Sequence, residues 1–364
     1  MVVIGGGVVG AAVALLLTRH GAEVVLLEAA GELACGASGT NSGILHSGFD
    51  STPGTLEASL IVGASQVRDA VLEPLAVPVL RCGARVVPDG SPAQTDAVGE
   101  LARNAQRNNV AVRLDDDGVL HVPGEHVTDP VAVVRAFAGA AQVLGARVHN
   151  GARVDAIEGD RVHVASGGSF RADAIVNCAG LRGDEVARLA GDDSFGVYPR
   201  KGEFLVFAGA VPDIRLPVPR PGTKGVLVFP TTDGHTIVGP TAVDGEDKDD
   251  WSVRPAGRDA LLEHAAAHGL HDPVAVYAGL RPAGRDGANY VIGPSEANPR
   301  LINVAAIRST GLSAALGIAQ QVRGMLDWQG VALADQPGPL PRLQPLESHR
   351  PWWQRAADRS AAVA

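Results

Sequence analysis

Residues 2–10 read VVIGGGVVG, in which three apolar β-branched residues run directly into glycines at positions 5, 7 and 10. Val2-Val3-Ile4 has the pattern of a short buried strand, and the run "VVGAAVALLLTRHG" that follows is helical and closes at Gly21. A second strand, "AEVVLLE", then ends on Glu28. In this strand–turn–helix–strand setting the spacing GxGxxG is a dinucleotide-binding turn. Gly5 permits the tight turn and Gly7 lets a pyrophosphate approach the backbone. Gly10 lets the helix lie against the strand with its N-terminus toward the phosphates. Glu28 falls where a carboxylate accepts hydrogen bonds from a ribose, and its charge disfavours a 2′-phosphate, so NAD and FAD stay open and NADP does not. No later GxGxxG stands between a strand and a helix, which points to the substrate itself as the reductant.

The 364 residues allow about two domains at roughly 100–200 residues each. A composition 46% hydrophobic and 20% charged fits a loop-rich α/β or α+β protein and excludes wholesale disorder. The net charge of -9 argues against nucleic acid, whose phosphates need a basic surface. Cys35, Cys82 and Cys178 lie far apart, and the histidines show no HExxH spacing, so neither a disulfide framework nor a metal site is expected. The apolar start lacks the basic region of a signal peptide, and no later run approaches the roughly 20 residues that span a bilayer. A cytoplasmic location is expected, with peripheral membrane contact left open.

Further along, helices are expected over 56–75, near 94–108 and over 131–144, the last opened by the Asp129-Pro130 pair. From Tyr198 the pattern becomes antiparallel: "YPRKGEFLVF" is one strand and "KGVLVFPTTDGHTIVGP" a hairpin turning at Asp233-Gly234. "AVYAGLRP", "NYVIGP" and "LINVAAI" add three strands before a helix that begins in "STGLSAALGIAQQVRGML". The Pro-rich tail from Asp335 shows no core pattern; packing or disorder is expected of it, with docking of Trp352 and Trp353 on the body or on a partner as the alternative.

Taken in order, "IGGGVVG", "ASGTNSGILHSGFD", "VYPRKGEFLVF", "TKGVLVFPTTDGHTIVGPT", "AGLRP" and "STGLSAALGIA" resemble the FAD-dependent oxidoreductases of the D-amino-acid-oxidase fold. Within that fold the chain is most similar to bacterial FAD-dependent glycerol-3-phosphate dehydrogenases and oxidases, with L-2-hydroxyglutarate oxidases as near relatives. The resemblance runs from residue 1 to about residue 330. It implies an α/β architecture: a Rossmann-like FAD-binding domain built from discontinuous segments, and an antiparallel-sheet α+β substrate domain. The FAD-binding segments are 1–75, 129–195 and 283–334, the substrate segments 76–128 and 196–282, and 335–364 form a C-terminal tail. Relatives carry several residues before the first strand, so Met1 is expected to be a trimmed or misassigned start.

The same resemblance assigns noncovalent FAD. Gly5, Gly7, Gly10 and Glu28 would hold its adenosine and pyrophosphate end, Ser38, Asn41 and Ser42 would follow the phosphates and ribityl chain, and Val154 would present backbone to the adenine. Gly180 ends a second flavin-side strand. Gly311 and Leu312 open a helix whose amides would stabilise negative charge on the reduced ring. His46 matches a histidine proposed as base, and a neutral imidazole accepts a proton at physiological pH. Lys224 and Arg281 are the expected anion-binding residues, with Lys201 and Arg285 as weaker alternatives; the competing expectation for Arg281 is a salt bridge within the second domain. The implied reaction oxidises sn-glycerol 3-phosphate by hydride transfer to flavin N5, with oxygen, a quinone or a partner protein as final acceptor. An L-2-hydroxyacid or an amine as substrate, or a flavin-bearing subunit with little activity alone, are the alternatives.

Overall fold

The computed structural model describes residues 1–219, 225–345 and 350–363. Six strands form one sheet in the order Val291–Pro294, Leu301–Ala305, Ile175–Asn177, Val2–Ile4, Val25–Leu27 and Arg147–His149. All neighbours run parallel except the hairpin formed by the first two. Val3 joins a core shared with the helices Val8–Arg19, Pro130–Val143 and Gly311–Trp328. Val2 and Ile4 pack on the opposite face, against the antiparallel strands Val154–Glu158, Arg161–Val164 and Ser169–Arg171. Burial on both faces is why this strand reads as continuously apolar.

Gly5 turns the chain at φ +108°, and a methyl group at Gly10 would lie 1.9 Å from the Gly5 carbonyl oxygen. Helix and strand therefore approach as closely as backbone allows. Gly10→Ala must push them apart, and overpacking of this kind costs about 1–3 kcal/mol. A lower unfolding midpoint of the cofactor-free protein is the expected result, and an unchanged midpoint would remove the close-approach argument.

The second sheet has nine strands arranged around Val197–Ala208. That strand pairs antiparallel with Ala275–Gly284 from Val197↔Gly284 to Val206↔Ala275, and with His235–Gly239 on its other side. The hairpin of Leu227–Pro230 and His235–Gly239 turns with Gly234 at φ +87°, the conformation the Asp-Gly signal requires. The sheet is not purely antiparallel: Ile214–Leu216 runs parallel to Ala84–Val86, which arrives from a distant part of the chain.

Three helices fall close to their expected spans, as Leu56–Leu72, Pro92–Arg107 and Pro130–Val143. Each begins on a side-chain cap, from Thr55, Ser91 and Asp129 respectively. Of the readings open for the tail, the structure shows packing. Trp352–Ala361 is a helix lying on the Ala275–Gly284 strand, with Trp352, Trp353, Ala356 and Ser360 buried. Trp352 is 2% and Trp353 4% exposed, so both tryptophans dock on the body of their own chain. Among the described residues no helix is long and apolar enough to cross a membrane.

Candidate active site

A cleft of about 1570 Å³ is lined by elements of both sheets. It exceeds the roughly 300–1,000 Å³ of pockets that hold drug-sized ligands, and so has room for a dinucleotide. Gly5, Gly7, Glu28, Ser38, Asn41, Ser42, Val154, Gly180, Gly311 and Leu312 all line it, together with His46 and Arg281. Gly10 lies beneath it in the helix–strand contact, and Lys224 falls outside the described residues.

At one end stands the glycine turn. A Cβ at Gly7 would meet only Ser38 Oγ, at 3.1 Å, so the space above this backbone is not filled by protein. Ser38 Oγ accepts the Val8 N–H at 3.0 Å and steadies the helix start. The Glu28 carboxylate accepts the amides of Gly6 at 2.6 Å and Ala30 at 2.8 Å, which fixes it at the strand end. Asn41 Oδ1 accepts the Gly43 amide at 2.9 Å and shapes the loop that leads to His46. The helix Gly311–Trp328 receives no side-chain cap, because the Thr310 hydroxyl is engaged by Tyr290 and Glu57. Its first amides are thus left for a ligand.

Toward the second sheet lies the histidine. Antiparallel pairing of Ile44 with Val127 and Leu45 with His126 sets the next residues, His46 and Glu125, side by side. His46 Nδ1 lies 2.7 Å from Glu125 Oε2. The other oxygen, Oε1, accepts the Ser47 amide at 2.6 Å and its hydroxyl at 2.7 Å. Glu125 is fully buried. A carboxylate only accepts, so with Glu125 ionised the His46 proton sits on Nδ1 and the lone pair on Nε2. Arg68 braces the pair by donating to the carbonyls of Leu45 at 2.9 Å, His46 at 3.3 Å and Gly124.

Arginines make up the facing wall. Arg281 donates Nε to the Arg200 carbonyl at 3.1 Å, and Nη2 to the carbonyls of Lys201 at 3.1 Å and Thr241 at 2.9 Å. It makes no salt bridge with a described residue. Burial, reinforced by Arg200 and Arg308, pushes its guanidinium down to about 10, so it stays charged at neutral pH. Arg200 and Arg308 also line the cleft, and among the described residues the carboxylate bonded to these arginines is Asp244, paired with Arg200 at 2.8 Å. The wall holds excess positive charge and suits a small anion. The weaker candidates are not brought to it. Lys201 points to the other side of its strand, where Nζ binds Asp250 at 2.6 Å, because successive side chains on a strand alternate faces. Arg285 is exposed and paired with Glu246. Among the described residues no cluster of three His, Cys, Asp or Glu side chains is placed to hold a metal.

The family model described as "DAO: FAD dependent oxidoreductase" matches residues 1–325. The chain belongs to this family. A glycerol 3-phosphate dehydrogenase of Caloramator mitchellensis is 28% identical over 353 residues, covering 89% of this chain and 73% of that protein. An L-2-hydroxyglutarate dehydrogenase of Escherichia coli is 25% identical over 299 residues, covering 74% of this chain and 70% of its own. The solved structure of dithionite-reduced L-alpha-glycerophosphate oxidase from Mycoplasma pneumoniae, with FAD bound, superposes at a TM-score of 0.82 with 24% identity. That match covers 93% of this chain and 96% of the other, and it shows the fold.

As a DAO-family oxidoreductase the chain presents residues that fit FAD. The unfilled cradle at Gly7 accommodates a pyrophosphate, the fixed Glu28 carboxylate a ribose, and the uncapped start of Gly311–Trp328 an electron-rich ring edge. Two site residues escaped the sequence reading. Glu125 stands alone in "PGEHV", and only its pairing with His46, 79 residues away, reveals it. Arg308 is a lone arginine between the strand Leu301–Ala305 and the Gly311–Trp328 helix, and the available signal was its place past the carboxyl end of a sheet strand, where α/β sheets bind ligands.

Proposed function

We propose that this protein is an FAD-dependent dehydrogenase or oxidase of a small anionic 2-hydroxy compound, with sn-glycerol 3-phosphate first and an L-2-hydroxyacid second. The observation that carries the reading is the His46–Glu125 pair and the arginine wall lining one cleft. Bound FAD, held without a covalent link, supplies the hydride acceptor. His46 Nε2 takes the hydroxyl proton, and Glu125 holds the imidazole in the tautomer that can do so. Arg281 and Arg308 grip the phosphate or carboxylate, Arg281 through Nη1, its other N–H groups being fixed by three carbonyls.

The subunit alternative drew on the tail with Trp352 and Trp353 and on the absence of a recognisable electron-acceptor site, and the burial of both tryptophans takes away the first of these motives. Anaerobic titration of the holoprotein with sn-glycerol 3-phosphate, L-2-hydroxyglutarate and a set of amino acids tests the proposal. The flavin absorbance should bleach with a hydroxy anion; bleaching only with amino acids would overturn it. Arg281→Lys keeps the charge but loses the planar guanidinium, and should raise the half-saturating concentration of that anion about tenfold. An unchanged value would remove Arg281 from the anion site.

A further inference from the structure

The helix Trp352–Ala361 lies beyond the residues 1–325 that match the family, yet its Arg359 lines the cofactor cleft. The guanidinium lies over the Trp251 ring, 3.6 Å from its centroid, and Nη1 donates to the carbonyl of Cys35. Cys35 opens the loop that leads to Ser38, and Ser38 Oγ is the atom nearest to a Cβ built on Gly7. Arg359 therefore reaches the cleft at its glycine-turn end.

Its placement is held from several directions. Ser360 Oγ accepts the Ala278 amide at 2.9 Å, Arg355 pairs with Glu32, and the two buried tryptophans anchor the first turn. Among the described residues Arg359 forms no ion pair, and Asp249, the acid that acts on it, is bonded to Arg182. A guanidinium has five N–H donors, and among the described residues Arg359 spends one of them, on a backbone carbonyl. A half-buried cation with donors to spare, at the end of a cleft formed by an open glycine turn and a helix start, is matched by a diphosphate. We propose that Arg359 is a cofactor-binding residue, and that the C-terminal helix carries it onto the pyrophosphate of FAD.

The proposal rests on the FAD cleft and is independent of the substrate. The full-length protein, stripped of flavin, is titrated with FAD, ADP and riboflavin, following flavin fluorescence and, for ADP, competition with FAD. Arg359→Ala should weaken FAD and ADP alike, by about tenfold or more, as loss of a charge-assisted contact does. Riboflavin has no phosphate, and its dissociation constant should stay within twofold of the parent's. Arg103→Ala, an exposed arginine on the Pro92–Arg107 helix outside the cleft lining, should leave all three unchanged. Should the alanine variant fail to fold, Arg359→Gln retains the stem over Trp251 and runs the same comparison. Equal weakening of FAD and riboflavin would make Arg359 a mere latch and overturn the proposal, as would FAD and ADP binding at parental strength.

Discussion

His46→Ala should slow reduction of the flavin by its substrate about 10²–10⁴-fold, the usual loss on removing a general base, while FAD stays bound. Retention follows from the geometry. The imidazole bonds Glu125, and the elements that fit the cofactor are the glycine turn, Glu28 and the start of the Gly311–Trp328 helix. Glu125→Gln is the companion experiment. A carboxylate can only accept from Nδ1, whereas an amide can turn its NH₂ toward the ring and favour the tautomer with the proton on Nε2. The glutamine variant should thus lose much of the rate although its side chain is nearly isosteric. Stopped-flow traces of the two holoproteins measure both effects. If instead flavin is lost and the remaining holoprotein reduces at a normal rate, His46 is architectural and the base lies elsewhere.

Gly7→Val should abolish FAD binding and leave the apoprotein folded. The backbone at Gly7 has φ -82° and ψ -177°, which any residue adopts, and a Cβ there meets only Ser38 Oγ, at 3.1 Å. Protein alone thus gives little reason for glycine at this position, and the reason must be what approaches it. Gly10 is the opposite case, crowded by the Gly5 carbonyl within the protein itself. Purified Gly7→Val should be colourless, with an unfolding midpoint close to that of the parent stripped of flavin. Full flavin occupancy in this variant would refute the assignment of the turn to the pyrophosphate.

These contrasts show what a one-dimensional reading can and cannot reach. The nucleotide end was legible because strand, turn and helix are local, so nine consecutive residues carry the spacing. The antiparallel hairpin was legible for the same reason. Glu125 was not, because a two-residue pairing across distant segments creates its role and leaves no pattern of its own. Lys201 was a poor choice because alternation separates residues 200 and 201 to opposite faces, and composition does not say which face the cleft takes. The Trp352–Ala361 helix was missed because two of its four buried positions are Ala356 and Ser360, which contribute little to an apolar periodicity. Pro351 at its start was the available signal.

The pairing order of the parallel sheet also dictates when the molecule can be completed. Val2–Ile4 is hydrogen-bonded to Ile175–Asn177, which in turn holds Leu301–Ala305, and Ala334 and Gly338 bond back to His20 and Arg19. The strand Val2–Ile4 is therefore made well before the strands it pairs with through Ile175–Asn177. Until translation has passed the final sheet strand and the Gly311–Trp328 helix, the nucleotide turn has no opposite wall. Contacts this distant in sequence close slowly, and the growing chain must keep an apolar strand shielded throughout synthesis. In this topology the cofactor's site is assembled last, from segments far apart in the chain.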